Sequence, residues 1–187
     1  MIEPSAADLA RRLAVVEDRL AIYNLLASHP VSADAGLEHV LRGIYTQDAT
    51  FDRGEELHGA TGIEKIVAFA QNPAHHEAMN GGLAHFNSPP LVELQRDTAV
   101  ATNYIMLIFP DTQGDMRELP NHGVTTGFRV HRVVANRWTL VRDDGRWRIA
   151  ARSVSPLDGS EPALKILARA GEIYSGDQDA IPSRPGA

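Results

Sequence analysis

Apolar residues repeat every three to four positions in three segments of the first seventy-one residues, and every second position through much of the stretch from Leu91 to Ser153. A chain with helical period first and strand period second can be neither a helical bundle nor an alternating βαβ array; its fold class is α+β. Ser5 can cap the first helix, with Asp8 at the capping-box position. Leu9, Leu13, Val16, Leu20 and Tyr23, continued by Leu26, form the stripe expected to face the core, and Pro30 is expected to end or kink the helix. Shorter helices are predicted over about 35–45 (Leu37, Val40, Leu41, Ile44, Tyr45) and 62–71 (Ile63, Ile66, Val67, Ala70). The extended part contains Thr98–Phe109, a long or bulged strand over Gly123–Arg142, a turn at Asp143, Asp144 and Gly145, and a final strand Trp147–Ser153. In that last strand strict alternation puts Trp147, Ile149 and Ala151 on one face and Arg148, Ala150 and Arg152 on the other. The polar, proline-bounded residues 110–122 read as a surface loop able to act as a lid. Residues 1–160 are assigned to one domain and 161–187, with a short helix near 163–170, to a peripheral C-terminal extension.

Composition narrows the chemistry. The 187 residues, 43% hydrophobic, suit one globular core. Cysteine is absent, so disulfides, thiolate nucleophiles and cysteine-ligated metals are ruled out. The net charge is -6 without a basic stripe, so no nucleic-acid partner is expected. Glu, Asp and Arg interrupt the first twenty residues, unlike a secretory signal, so a cytoplasmic location is expected. The longest apolar run, Tyr104–Phe109, is far below the ~20 residues that span a bilayer, so no membrane partner is expected either. His75, His76 and Glu77 lie in a segment read as an extended loop without metal-ligand spacing, and no phosphate loop or nucleophile elbow occurs; no metal or cofactor is expected.

Six strings in order, EDRLAIYNLLASHPVSAD, YTQDATFD, HGATGIEKIVAF, LAHFNSP, RDTAVATNYIML and VRDDGRWRIAARSV, resemble the SnoaL-like branch of the nuclear transport factor two-like superfamily over about residues 8–155. The resemblance implies a cone-shaped α+β barrel: a curved antiparallel sheet packed on N-terminal helices and enclosing a pocket. Members include scytalone dehydratase, a dehydrochlorinase, bile acid dehydratase, ketosteroid isomerase, polyketide cyclases and limonene epoxide hydrolase.

Asp34 and His85 stand where the dehydratase and dehydrochlorinase members carry a catalytic Asp–His pair. A carboxylate holding one imidazole nitrogen fixes the tautomer and leaves the other nitrogen basic. A hydrogen-bonded core His and a capping Asp are the alternative. Asn136 matches a substrate-binding Asn of the scytalone dehydratase branch; with it Trp138, Leu140 and Arg142 are expected to face the pocket by alternation. Arg142 also lies near the equivalent of an active-site Arg of the dehydrochlorinase. The phenolic acids of the relatives are missing: His29, Ala33 and Arg53 occupy their positions. His29 is therefore a candidate proton donor and substrate contact, with Tyr23, Tyr45 and Tyr104 as further donors. Ketosteroid isomerases place their base where this chain has Arg53, with Asp52 one position away and so on the opposite strand face.

The expected function is a cofactor-independent lyase, dehydratase-like, acting on a small hydrophobic hydroxylated carbonyl or polycyclic compound. His85 would be the base and Asp34 its partner; Asn136, His29, Trp138, Arg142 and Tyr23 would contact substrate. An isomerase or cyclase using the same pair, a non-catalytic ligand-binding module and a dioxygenase small-subunit-like structural role stay open. The resemblance implies association through the outer face of the sheet, as a homodimer or homotrimer.

Overall fold

The computed structural model describes residues 4–54 and 57–176; the tail from residue 177 onward lies outside them. Helix α1 runs Ala6–Asp34, and Ser5 caps it by accepting from the Asp8 amide. Pro30 lies inside the helix instead of ending it. Ser32 Oγ donates to the His29 carbonyl at 2.7 Å, and the helix continues one more turn to Asp34. Then follow α2 (Glu38–Ile44), β1 (Tyr45–Asp52), β2 (Ala60–Thr61), α3 (Ile63–Ala70) and α4 (Pro73–Asn80). The last of these replaces the expected extended loop around His75 and His76. Asn72 accepts from the Ala74 amide as N-cap and Pro73 occupies the first turn, a start signal carried by a segment with no apolar stripe.

The strands continue with β3 (Ala84–Asn87), β4 (Leu91–Gln95), β5 (Thr98–Pro110), β6 (Arg117–Leu119), β7 (Gly123–Thr125), β8 (Phe128–Asp143) and β9 (Arg146–Pro156), and α5 (Glu161–Gly176) closes the described chain. The expected 110–122 loop thus contains part of a small separate hairpin, β6–β7, and the long strand begins at Phe128. Asp144 and Gly145 both have positive φ, 48° and 72°, as a tight hairpin turn between β8 and β9 requires.

The main sheet is curved and has the order β2-β1-β9-β8-β5-β3, with β4 also paired to β5. It is open rather than closed into a barrel, and antiparallel except for the parallel pair β1–β9. Register defines the inner face: Ala101, Trp138 and Arg152 form one row, Asn103, Asn136 and Val154 the next, and His85, Leu107 and Arg132 another. A register irregularity pairs Thr139 with Ala151 but Leu140 with Ile149, so Ala150 is the extra residue. This bulge reverses the alternation: Ile149 and Arg152 are both buried, contrary to the strict-alternation reading that separated them.

Against the inner face pack Ile22 and Leu26 of α1, Leu41 and Ile44 of α2, and Ile63, Ile66 and Val67 of α3. The helix therefore buries Ile22, Leu26, His29, Pro30 and Ser32, whereas Leu9, Leu13, Val16, Leu20 and Tyr23 are all at least 40% exposed. Of the stripe expected to face the core, Leu26 at its end does so and the other five face outward. Helix α5 packs on β5, β8 and β9; on the outward side Ala135 and Ser155, cross-strand partners, are buried. Trp138 is fully buried at the centre of the core, and its Nε1–H donates to Asn103 Oδ1 at 2.9 Å. Trp138→Ala is expected to cost about 3–5 kcal/mol, through the cavity and the orphaned Asn103 acceptor. Urea unfolding with an unchanged midpoint would contradict this core assignment.

Candidate functional site

Asp34 is the last residue of α1, and His85 sits near the start of the edge strand β3. The fold brings these two residues, distant in sequence, into contact. His85 Nδ1 lies 2.5 Å from Asp34 Oδ1, and the His85 backbone N–H donates to Asp34 Oδ2 at 2.8 Å. One carboxylate thus anchors both the ring and the backbone of the same residue. With Nδ1–H donated to Asp34, the lone pair of a neutral His85 is on Nε2. Both side chains stay partly accessible, at 17% for His85 and 24% for Asp34. Helix α4 places His75 beside them: its Nε2 donates to the carbonyl of Ala33 at 3.0 Å, and its ring centroid is 6.5 Å from that of His85.

A second polar group lies deeper on the inner face. Arg152 is only 7% exposed, and among the described residues it has no carboxylate partner. Its Nε donates to Asn136 Oδ1 at 3.0 Å and its Nη1 to His29 Nε2 at 2.6 Å. The guanidinium is also sandwiched by rings, 4.4 Å from the Phe51 centroid and 4.5 Å from that of Trp138. Burial lowers the Arg152 pKa from its ordinary value, and the neighbouring Arg53 acts in the same direction. Asn136 is fully buried with no partner for its Nδ2. A desolvated cation beside an unused amide donor is an arrangement suited to an anionic oxygen.

His29 belongs to the same buried group. Burial, and after it the charge of Arg152, hold its imidazole pKa well below the usual value. It is neutral, with Nε2 accepting from Arg152 and Nδ1–H directed at Tyr45 Oη, 3.4 Å away. His29 consequently holds Arg152 in place, and its Nε2 is not free to carry a proton to a leaving group. Tyr45 is itself buried, which raises its phenol pKa. Because the unfolded chain protonates His29 near pH 6.5 and the folded one does not, stability rises with pH up to about that value and falls below it. His29→Gln, which keeps an acceptor for Arg152, is expected to flatten the wild-type loss of melting temperature between roughly pH 6.5 and 5. Identical pH profiles for both proteins would refute this.

Two expected contacts lie elsewhere. Arg142 is bound to Asp18 at 2.7 Å and Asp97 at 2.9 Å and stacks over Trp147 at 4.6 Å, near the β8–β9 turn. Two carboxylates and an exposed strand end hold it there, and Arg152 is the arginine that points inward. Tyr23 is on the exposed side of α1. Trp138 is inward-facing as expected, but its indole N–H is satisfied by Asn103 and its surface is buried. Arg53, at the position of the missing phenol, lies over the Phe69 ring at 4.7 Å. A cleft of about 830 Å³ between α5 and the ends of β1 and β9 includes Arg53 but neither Asp34 nor His85. Among the described residues no group of three His, Asp or Glu could hold a metal ion, and no helix is long and apolar enough to cross a membrane.

Comparison with known proteins agrees with this architecture. The profile of the SnoaL-like domain matches residues 14–153. An NTF2-like protein with a cystatin-like fold from Novosphingobium aromaticivorans is 31% identical, with 89% of this chain and 99% of that chain covered and a TM-score of 0.76. Two further structures from that organism share the fold. A candidate scytalone dehydratase is 18% identical (TM-score 0.56, 76% and 85% covered), and a candidate aromatic ring hydroxylase is 22% identical (TM-score 0.54, 76% and 90% covered). The search of curated proteins returned no match. With the domain profile spanning most of its length and a 31% identical relative covered almost end to end, this chain belongs to the SnoaL-like domain family of the NTF2-like superfamily.

Proposed function

We propose that the protein is a cofactor-independent lyase of the dehydratase type, acting on a small hydrophobic molecule in which a carbonyl activates a neighbouring C–H and a hydroxyl leaves. The observation that carries this reading is the Asp34–His85 contact, which leaves the basic His85 Nε2 unused. His85 Nε2 removes the carbon-bound proton, and Asp34 stabilises the imidazolium that forms. Electron density moves to the carbonyl oxygen, where the Arg152 guanidinium and Asn136 Nδ2 offset the negative charge. Collapse of the enolate expels hydroxide, and the proton carried by His85 is available to turn it into water. One base thus acts twice, which removes the need for the phenolic acids that Ala33 and Arg53 replace.

The test is a screen of β-hydroxy ketones, including bicyclic ones, followed by mass spectrometry. Loss of one water from a turned-over compound supports the reading. Products isomeric with their substrates would assign the same residues to proton shuttling instead, and elimination at undiminished rate in His85→Ala would sink both.

A further inference from the structure

Helix α1 has two apolar sides. At 100° per residue, the side holding Ile22, Leu26 and His29 is turned by roughly 130° from the side holding Leu9, Leu13, Val16, Leu20 and Tyr23. The first is consumed by the core; the second is exposed over its whole length. Its spacing is four, three, four and three residues, the a/d repeat of a two-stranded coiled coil, with Leu13 and Leu20 at a and Leu9, Val16 and Tyr23 at d. The N-terminal half of α1 is largely exposed all round, so most of it has little of its own chain to lean on. A segment of roughly 12 residues in that situation is marginal as a helix in water.

We propose that this seam is a docking surface for α1 of a second copy of the chain, paired in parallel. Flanking charge selects both the occupant and the direction. In the heptad frame Arg12 takes a g position and Glu17 the e position five residues on, and neither has an ion-pair partner among the described residues. Parallel pairing sets Arg12 against the partner subunit's Glu17, twice by symmetry. Antiparallel pairing would instead oppose Arg12 to the partner's Arg19, like charge against like. Arg19 is already committed to its own body, where its Nη1 donates to the Val92 carbonyl at 3.0 Å. The contact differs from the sheet-face association expected from the resemblance.

Sedimentation velocity at micromolar concentration tests it without any substrate. The wild-type chain is expected to be dimeric, and Leu13→Glu/Leu20→Glu monomeric and folded, its far-ultraviolet spectrum losing no more helix signal than the unpartnered N-terminal half of α1 accounts for. Arg12→Glu is expected to raise the dimer dissociation constant by about tenfold, and adding Glu17→Arg to restore it. A monomeric wild type overturns the proposal. So does a dimer that survives Leu13→Glu/Leu20→Glu, which would locate the contact on another face, and so does a charge swap that fails to rescue Arg12→Glu.

Discussion

If the protein is the dehydratase proposed above, His85→Ala is expected to lower turnover of its substrate by about 10²–10⁴-fold, the usual range for removal of a general base. The loss should fall on kcat, since the imidazole acts on the reacting proton and contributes little to holding the substrate skeleton. Asp34→Asn should reduce kcat too, for a distinguishable reason. An amide oxygen can still accept from Nδ1–H, but it no longer offsets the imidazolium charge, and a turned amide would face Nδ1 with a donor and enforce the wrong tautomer. The alternative role, a His and Asp that only tie α1 to β3, predicts a different pattern: lower melting temperature for both variants with kcat preserved. Full turnover by a folded His85→Ala protein would end the mechanism.

Arg152→Met should produce the second large effect. On the proposed mechanism the substitution removes the cation that faces the enolate oxygen, and loss of one such preorganised donor lowers kcat by about 10²–10³-fold. Its stability signature separates catalysis from architecture. Burying the guanidinium is costly, and Met fills much of the same space between Phe51 and Trp138, so the global fold should persist although His29 Nε2 and Asn136 Oδ1 lose a donor. A companion Arg152→Lys keeps a charge but not the planar, two-armed contact with His29 and Asn136, and should recover only part of the rate. Wild-type kcat in folded Arg152→Met would show that the buried cation has no part in the chemistry.

Long-range pairing of Asp34 with His85 was readable only through family resemblance, since nothing local joins a helix end to a strand so far along the chain. The resemblance put Asn136 on the inner face and period-two alternation carried Trp138 with it, but alternation failed at Arg152 because one bulged residue, Ala150, turns the end of β9 over. Arg142 looked equally inward by the same count, and Asp18 and Asp97 hold it at the surface instead. In α1 the more apolar stripe was not the buried one. Core contact falls on a side whose members include His29, Pro30 and Ser32, so hydrophobicity alone pointed to the wrong side. Helix α4 was missed for the converse reason: PAHHEAMN has no buried residue, and only its Asn-Pro start marks it.

The carboxylate of Asp34 also closes part of the sheet's open margin. Strand β3 is terminal in the sheet, and the backbone N–H of His85 finds its partner in that carboxylate. The amide proton of His85 is therefore a built-in isotopic reporter. Its deuterium uptake is expected to be slow while Asp34 stays in place and to quicken when the contact opens. Exchange at this one peptide group reads the integrity of the acid–imidazole pair in the resting protein, before a substrate has been found.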